Sequence, residues 1–452
     1  MGAETEVYDV LGIGIGPFNL GMAALVENVA EIQGVFLDEN EAFEWHGGML
    51  LDGTSLQVPF LADLVTMADP KSPYSFLQYL QEKDRLYAFY FYEKFHIPRL
   101  EYNDYCQWAA EKLSSCRFGR RVTNVSFLEE GRLYKVEAVR SNAETPEYYY
   151  ARHIVTGTGT KPSLPLWAEK GEDVCHSADY RYRRKELLQK KSITVAGSGQ
   201  SAAEVFLDLL KKRPEYGYRL HWYTRSSGFF PMEYSKLGLE HFSPEYISYF
   251  YHLDSYTKEQ LLQKQNLLYK GISADTIAAV YDELYEQTIG GASEDIILQA
   301  NTEVMNTERT LAGKMKLFLK KINYGTEYTE ETEGLIAATG YQPSPQPFLR
   351  GIEASLRRDN HGRLQIDEKY RAVQTEKNHH VFIQNGEMHT HGVGAPDLGL
   401  GAHRNAVIIN QIADREVYPV RSKNVFQQFE REKTGFSRKP VSLILKRREE
   451  SR

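Results

Sequence analysis

The chain has 452 residues, 42% of them hydrophobic and 25% charged, with 54 Lys plus Arg against 61 Asp plus Glu for a net charge of −7. That length asks for about two to four domains rather than one binding module, and the composition is globular rather than disordered or fibrous. An acidic balance spread along the chain gives no field that would attract a polyanion, so nucleic acid is not an expected partner.

From the N-terminus, Tyr8 to Ile13 reads as a buried strand, Leu20 to Val29 as a helix and Gly34 to Asp38 as a second strand, together a βαβ unit. The apolar stretch Val10 to Val26 is broken by four glycines, Pro17 and Asn19 and lacks the basic lead of a signal peptide, and no later run reaches about 18 apolar residues. Cys106, Cys116 and Cys175 are odd in number and form no C-x-x-C pair, which speaks against a disulfide framework, a thiolate metal site or a dithiol redox centre. A cytoplasmic protein without membrane or metal is the expectation. The βαβ grammar returns at Ser192 to Ala196, with a glycine turn, a helix from Ser201 to about Lys212 and a strand from Arg219 to Thr224. Between Tyr234 and Gly290 the chain turns helical, with Leu261, Leu262, Leu267, Leu268, Ile277 and Val280 at amphipathic spacing. Gly334 to Ala338 and Val381 to Asn385 read as further strands, and a helix runs from about Leu398 to Ile412.

In the first unit Gly14, Gly16 and Asn19 occupy the G-x-G-x-x-G positions directly after a strand, and Asp38 ends the next one. Glycines let a backbone approach a pyrophosphate at a helix N-terminus, and the acid holds a ribose diol; a tight strand-to-helix turn is the plainer alternative. Gly197, Gly199 and Ala202 repeat the spacing, but there the next strand ends in Arg225, which suits a 2′-phosphate that an acid would repel. Two such sites most simply mean FAD first and NADPH second. The expected fold class is α/β, two Rossmann-like dinucleotide-binding domains with a small helical substrate-binding insertion. Residues 1–185 and 334–432 make the FAD domain, 186–233 and 291–333 the NADPH domain, 234–290 the insertion and 433–452 a peripheral tail.

The first motif reads Gly14-Ile15-Gly16-Pro17-Phe18-Asn19-Leu20 and is followed by Phe43 to Leu50, Leu56 to Leu64, Asp69-Pro70 and Ser72 to Leu77. Gly197 to Glu204, Phe242-Ser243-Pro244-Glu245, Ala338-Thr339-Gly340-Tyr341 and Thr390-His391-Gly392 follow in order. Over nearly the whole chain this set resembles the flavin-dependent N-hydroxylating monooxygenases of hydroxamate siderophore biosynthesis, the lysine/ornithine N-monooxygenase family, and within it the diamine-hydroxylating branch. The resemblance implies that NADPH reduces FAD, that dioxygen adds to give a C4a-hydroperoxyflavin, and that a neutral amine takes the distal oxygen. It places FAD contacts at Gly14, Gly16, Asn19, the run from Asp38 to His46 with Trp45 in it, Gln57, Val122 and Asp397-Leu398-Gly399. NADPH contacts fall on Ser198, Gly199, Gln200, Ser201 and Arg225. Gln57 is also the catalytic candidate, orienting the peroxide or NADP⁺, with a structural hydrogen bond as the plainer reading. For Trp45 and His46 the plainer reading is a packed aromatic and a satisfied core histidine. A homo-oligomer, by analogy a tetramer, is implied as well.

Family members acting on ornithine or lysine carry a Lys in the stretch matching Phe60 to Leu64, where it meets the substrate carboxylate; here Ala62 stands there. Two neighbouring substrate positions fall on Leu239 and Leu268. Burying a carboxylate without a cation is costly, so an aliphatic diamine (putrescine, cadaverine or 1,3-diaminopropane) is the expected substrate together with O₂. Glu233, Tyr234 and Glu240 are the candidates to meet its distal ammonium. L-lysine N6- or L-ornithine N5-hydroxylation is the alternative. A Baeyer–Villiger or sulfur-oxidising flavin monooxygenase would share both nucleotide sites but often carries G-x-x-x-H, and here Gly171 and His176 stand one residue further apart. An NADPH:acceptor reductase and a non-catalytic nucleotide-binding protein are the remaining readings.

Overall fold

The computed structural model describes residues 6–430 apart from 142, 144, 169–170, 172, 292–293 and 376–378, so the expected tail at 433–452 lies outside the described residues. Two sheets, one mixed and one parallel, organise the chain. The first is built on Val7–Ile13, apolar and buried along its last four residues, which pairs in parallel with Gly34–Leu37 on one side and Pro146–Thr156 on the other. The strand Pro146–Thr156 is shared. Its end pairs in parallel with Val7–Ile13 and Val381–Ile383, while its beginning pairs antiparallel with Leu133–Arg140, which continues to Arg120–Leu128. The helix Pro17–Val26, buried at every position after its N-terminal proline, fills one face of this sheet, as an all-round apolar helix must.

The second sheet is parallel throughout, in the order Ile296–Gln299, Arg219–Tyr223, Ser192–Ala196, Gly334–Ala337, Val174–His176. Helix Gln200–Tyr216 covers it with Ala202, Ala203, Val205, Phe206, Leu209 and Leu210. Two strands within the residues expected for the first unit pair here: Val174–His176, which the sequence reading did not identify as a strand, lies before the expected boundary at 185/186, and Gly334–Ala337 lies after that at 333/334. Strand order in a parallel sheet is set by crossover connections, which local sequence does not encode. A three-stranded antiparallel sheet, Thr302–Arg309, Met315–Lys321 and Thr326–Thr332, precedes that return.

The insertion is helical as expected, its helices begun by side-chain caps: Ser243 accepts from Tyr246 N–H, Asp254 from Thr257 and Ser273 from Thr276. Its last helix, Ala274–Gln287, packs Val280 into the core of the second unit, whereas Tyr246 and Phe250 pack against Val393, four residues before Asp397. The insertion thereby spans both units. No helix among the described residues is long and apolar enough to cross a membrane.

Candidate active site

The first glycine turn is built for close approach. Gly14 has φ +87°, and a Cβ there would stand 2.7 Å from the Gly157 carbonyl oxygen, so the loop tolerates no side chain. Gly16 opens the Pro17–Val26 helix with its outer face clear. Asp38 follows the second strand, partly exposed, and accepts the Ile15 N–H at 2.6 Å. A pyrophosphate at the helix start and a ribose at the acid fit this cradle. Val122 stands two residues beyond Arg120, whose N–H donates to the Asp38 carbonyl at 2.7 Å, so it borders the same end of the sheet. Asn19 corrects an expectation: its side chain is fully buried, donating to the Gly14 carbonyl at 2.7 Å and accepting from Gln384 Nε2 at 2.9 Å. It braces the loop from beneath and does not face a pyrophosphate.

At the second turn, a Cβ on Gly197 would stand 2.2 Å from the Ala338 carbonyl oxygen, while Gly199 opens the Gln200–Tyr216 helix with its nearest neighbour 3.6 Å away. Ser198 and Ser201 flank it, half-buried. Arg225 stands just past the strand end, its side chain 78% exposed and 3.9 Å from Glu303, open to a phosphate. The Gln200 amide donates to Glu204 and Thr276 and accepts the Ser273 N–H at 2.7 Å, so its side chain ties the turn to the insertion.

Between the two turns, Trp45 packs edge-on against Tyr102 in the core, while His46, in the left-handed region at φ +52°, is open to the cleft and meets Trp45 and Tyr341 edge-on. The protein packed around His46, and then the Arg99 charge, bring its imidazole down to about 4, so it is neutral at working pH. Gln57 donates to the Ser55 carbonyl, and the Tyr234 hydroxyl, arriving from the insertion, donates to the Gln57 carbonyl at 2.7 Å. Tyr234 is pushed up to about 12 by burial, and the Asp397 charge adds to the shift. Ala62, 5% exposed, lies 3.7 Å from the Cβ position of Gly399. Tyr234 thus meets Gln57, and Ala62 and Asp397 meet at Gly399, whose Cβ position stands 2.9 Å from Asp397 Oδ1. Burial raises the Asp397 carboxyl to about 6, opposed by the Gly399 and Leu400 N–H groups and by Arg404.

A family model for L-lysine 6-monooxygenase/L-ornithine 5-monooxygenase matches residues 6–343. The chain belongs to this family. The monooxygenase is similar to the rhizobactin siderophore biosynthesis protein RhbE of Rhizobium meliloti, 46% identical over 93% of this chain and 95% of the relative. It is 43% identical to the putrescine N-hydroxylase of Shewanella oneidensis, over 94% of this chain and 85% of the relative. Among solved structures, FAD-bound DfoA, the desferrioxamine-pathway cadaverine monooxygenase of Erwinia amylovora, superimposes with a TM-score of 0.91 at 42% identity, covering 95% and 100% of the two chains.

Within the monooxygenase the other substrate candidates separate. Glu240 accepts the backbone N–H groups of Phe426 and Gln427 at 3.1 and 2.9 Å, and Glu233 that of Ser235, so both carboxylates are engaged in local backbone. Leu239 stays 38% exposed on a short helix, and Leu268 is half-buried against the Tyr246, Phe250 and Val393 cluster. Of the three ammonium candidates, only Tyr234 joins Gln57. His176, the residue near the G-x-x-x-H spacing, is fully buried, with its ring nitrogens on the Gly340 carbonyl and the Ala178 N–H.

Two buried ion pairs escaped the sequence reading. Arg99 and Glu204 form a bidentate pair at 2.8 and 2.9 Å that joins the first unit to the Gln200–Tyr216 helix. Arg404, 0% exposed, lies between Phe18 and Tyr370, 3.0 Å from Glu387, and donates to the Ala395 carbonyl at 2.6 Å, bracing the segment that carries Asp397. A lone Arg in the apolar run from Leu398 to Ile412 was the signal available for the second; nothing local marked the first.

Proposed function

We propose that this NADPH-dependent flavin N-monooxygenase hydroxylates one terminal amine of an aliphatic diamine, putrescine, cadaverine or 1,3-diaminopropane, for hydroxamate siderophore biosynthesis. Per turnover R–NH₂, NADPH, H⁺ and O₂ become R–NHOH, NADP⁺ and water. The observation that carries the reading is the meeting of Ala62 and the Asp397 carboxylate at Gly399, with the Tyr234 hydroxyl on Gln57 of the same loop as Ala62. These groups offer acceptors to an ammonium, and the loop from Gln57 to Leu64 holds no Lys or Arg for a carboxylate. The putrescine and cadaverine named for two relatives support it.

Gly14, Gly16, Asp38, Val122 and the Asp397-Leu398-Gly399 turn would hold FAD, and Ser198, Gly199, Ser201 and Arg225 NADPH. When bound, these cofactors supply the electrons and activate the oxygen. The chain's task is the amine. A primary amine is about one part in 10³ free base at neutral pH, a deficit of about 4 kcal/mol. Phe60, ringed by Phe76, Phe89 and Phe95 at 5.1 to 6.0 Å, gives the substrate loop an apolar backing that excludes water and lowers the pKa of the proximal amine. Asp397, ionised above about pH 6, takes the distal ammonium, with Tyr234 and Gln57 closing the pocket. Thiols at Cys106, Cys116 and Cys175 suit a reducing cytoplasm.

Hydroxylamine formation is measured beside NADPH oxidation with added FAD and equal concentrations of the three diamines, lysine and ornithine. Product from diamines and little from amino acids is expected. Product chiefly from lysine or ornithine overturns the diamine reading and shows that another cation replaces the one missing at Ala62.

A further inference from the structure

After the final helix, Gly401–Ile412, the chain runs back across the molecule to the insertion. It is fastened first beside the helix it has just left. The Asn410 amide accepts the Val417 and Tyr418 N–H groups at 2.7 and 3.0 Å, and the buried Tyr418 hydroxyl donates to the Leu25 carbonyl of the first unit at 2.7 Å. Six residues further on the chain is gripped again. Glu245 accepts the backbone N–H groups of Asn424 and Val425, and Glu240 accepts those of Phe426 and Gln427 at 3.1 and 2.9 Å. Four consecutive backbone donors thus meet two carboxylates of the insertion, and hydrogen bonds to an ionised acceptor are the stronger kind. The Gln427 side chain adds a bond to the Leu237 carbonyl, and the Phe429 ring sits 5.0 Å from Tyr246 and 5.4 Å from His241.

The grip falls on the part of the insertion that carries Tyr234. Upstream of that residue, the Met232 and Glu233 N–H groups are tied to the Ile272 and Leu267 carbonyls at 2.8 and 2.9 Å. Downstream, the short helix Lys236–Leu239 buries none of its residues, so packing alone gives it little hold. Its far end is held by the bonds from residues 426 and 427 to Leu237 and Glu240. From Tyr418 to Asn424 there are at most about 22 Å of extended chain, which makes the segment a short tether between the first unit and the start of the insertion.

We propose that Glu240 and Glu245 are positioning residues for amine hydroxylation: by gripping residues 424–427 they strap the start of the insertion to the first unit and so hold the Tyr234 hydroxyl on Gln57. The inference rests on the proposed reading of Tyr234 as part of the amine pocket. Loosening the strap weakens the hold on the amine and leaves NADPH alone, because Ser198, Gly199 and Arg225 lie on the second sheet's own turns.

The test uses the full-length chain at saturating FAD and NADPH, with whichever of the three diamines, lysine and ornithine the wild type hydroxylates best, so that a wrong substrate class leaves it intact. Phe426 is 96% exposed, so Phe426→Pro removes one N–H donor to Glu240, while Phe426→Ser removes the ring and keeps the donor. Phe426→Pro and Glu240→Ala should each raise the amine KM about 10-fold, with kcat and the NADPH KM within about twofold of wild type, and Phe426→Ser should match the wild type. The double variant should do no more than Glu240→Ala alone, because both changes remove one contact. Amide hydrogen exchange across residues 233–243, measured without amine, should quicken about 10-fold in Phe426→Pro and in Glu240→Ala. An unmoved amine KM in both variants, equal effects of Phe426→Pro and Phe426→Ser, additive effects in the double variant, or unchanged exchange each overturns the proposal. So does a loss of kcat at constant KM, the mark of general structural damage. Tyr234→Phe separates the strap from the pocket. An unmoved amine KM there removes Tyr234 from the pocket and the proposal with it, whereas a raised KM there beside an unmoved one in Phe426→Pro overturns the strap alone.

Discussion

In the proposed reading Ala62 and Asp397 divide the substrate's two ends between them, one by presenting only a methyl group and the other by presenting a carboxylate whose charge appears within the physiological range. Placing an ammonium at the first position should reverse the preference. Ala62→Lys is expected to lower kcat/KM for putrescine relative to lysine by about 10- to 100-fold, the kinetic equivalent of about 1–3 kcal/mol of repulsion removed from one substrate and added to the other. An unchanged ratio refutes the carboxylate argument. For Asp397 the sign follows from its raised pKa. Below about pH 6 the carboxyl is neutral and has no hold on an ammonium; above it the carboxylate forms. The diamine KM should therefore fall as pH rises from about 5 to about 7, and Asp397→Asn should abolish that limb when measured at saturating FAD. Persistence of the limb in the variant would assign it to another group.

At the scale of elements, the two helix starts behave differently toward substitution. Arg225 stands exposed past its strand, so Arg225→Ala should leave stability within about 0.5 kcal/mol. It should still raise KM for NADPH about 10-fold or more with KM for NADH unmoved, and an equal effect on both cofactors would exclude a 2′-phosphate contact. Glu204, inside the helix that begins at Gln200, is instead part of the Arg99 pair. Glu204→Ala strands a buried guanidinium and should cost about 3–5 kcal/mol, read as a fall in the denaturant midpoint. A loss below about 1 kcal/mol would show the pair to be solvated. The βαβ grammar around both starts was legible in the sequence because strand runs, glycine turns and the following helices are local patterns. Membership of Val174–His176 and Gly334–Ala337 in the second sheet was not, because a three- or four-residue buried strand carries no mark of its neighbour.

For the whole molecule, the proposed substrate site is a junction. The loop holding Gln57 and Ala62 comes from the first unit, Tyr234 from the insertion and Asp397 from the turn before the final helix, so these residues meet only when all three pack. A ligand that binds only this folded state must stabilise it: FAD at about 100-fold its Kd should add about 2.7 kcal/mol, seen as a rise in Tm that saturates with FAD. Gly14→Ala should lose most of that rise, since its Cβ would press on Gly157 at φ +87°. A Tm independent of FAD would contradict the first glycine turn as a flavin site.

By itself the sequence determined what is encoded over short spans. Two glycine turns with their differing strand-end residues Asp38 and Arg225, the helical character of 234–290, and the family to which the chain belongs could all be read from consecutive residues. Only the tertiary structure decided which polar side chains face a ligand and which face the protein. Asn19 and Gln200 sit at motif positions, yet the carbonyls and side chains that claim their amides come from packing, as do the backbone donors that claim Glu240. Tyr234 was one candidate among three until the fold brought it across 177 residues to Gln57. A hydrogen-bonding side chain takes whichever partner folding places within about 3 Å, and that partner is set by long-range contacts rather than by its own position in the chain.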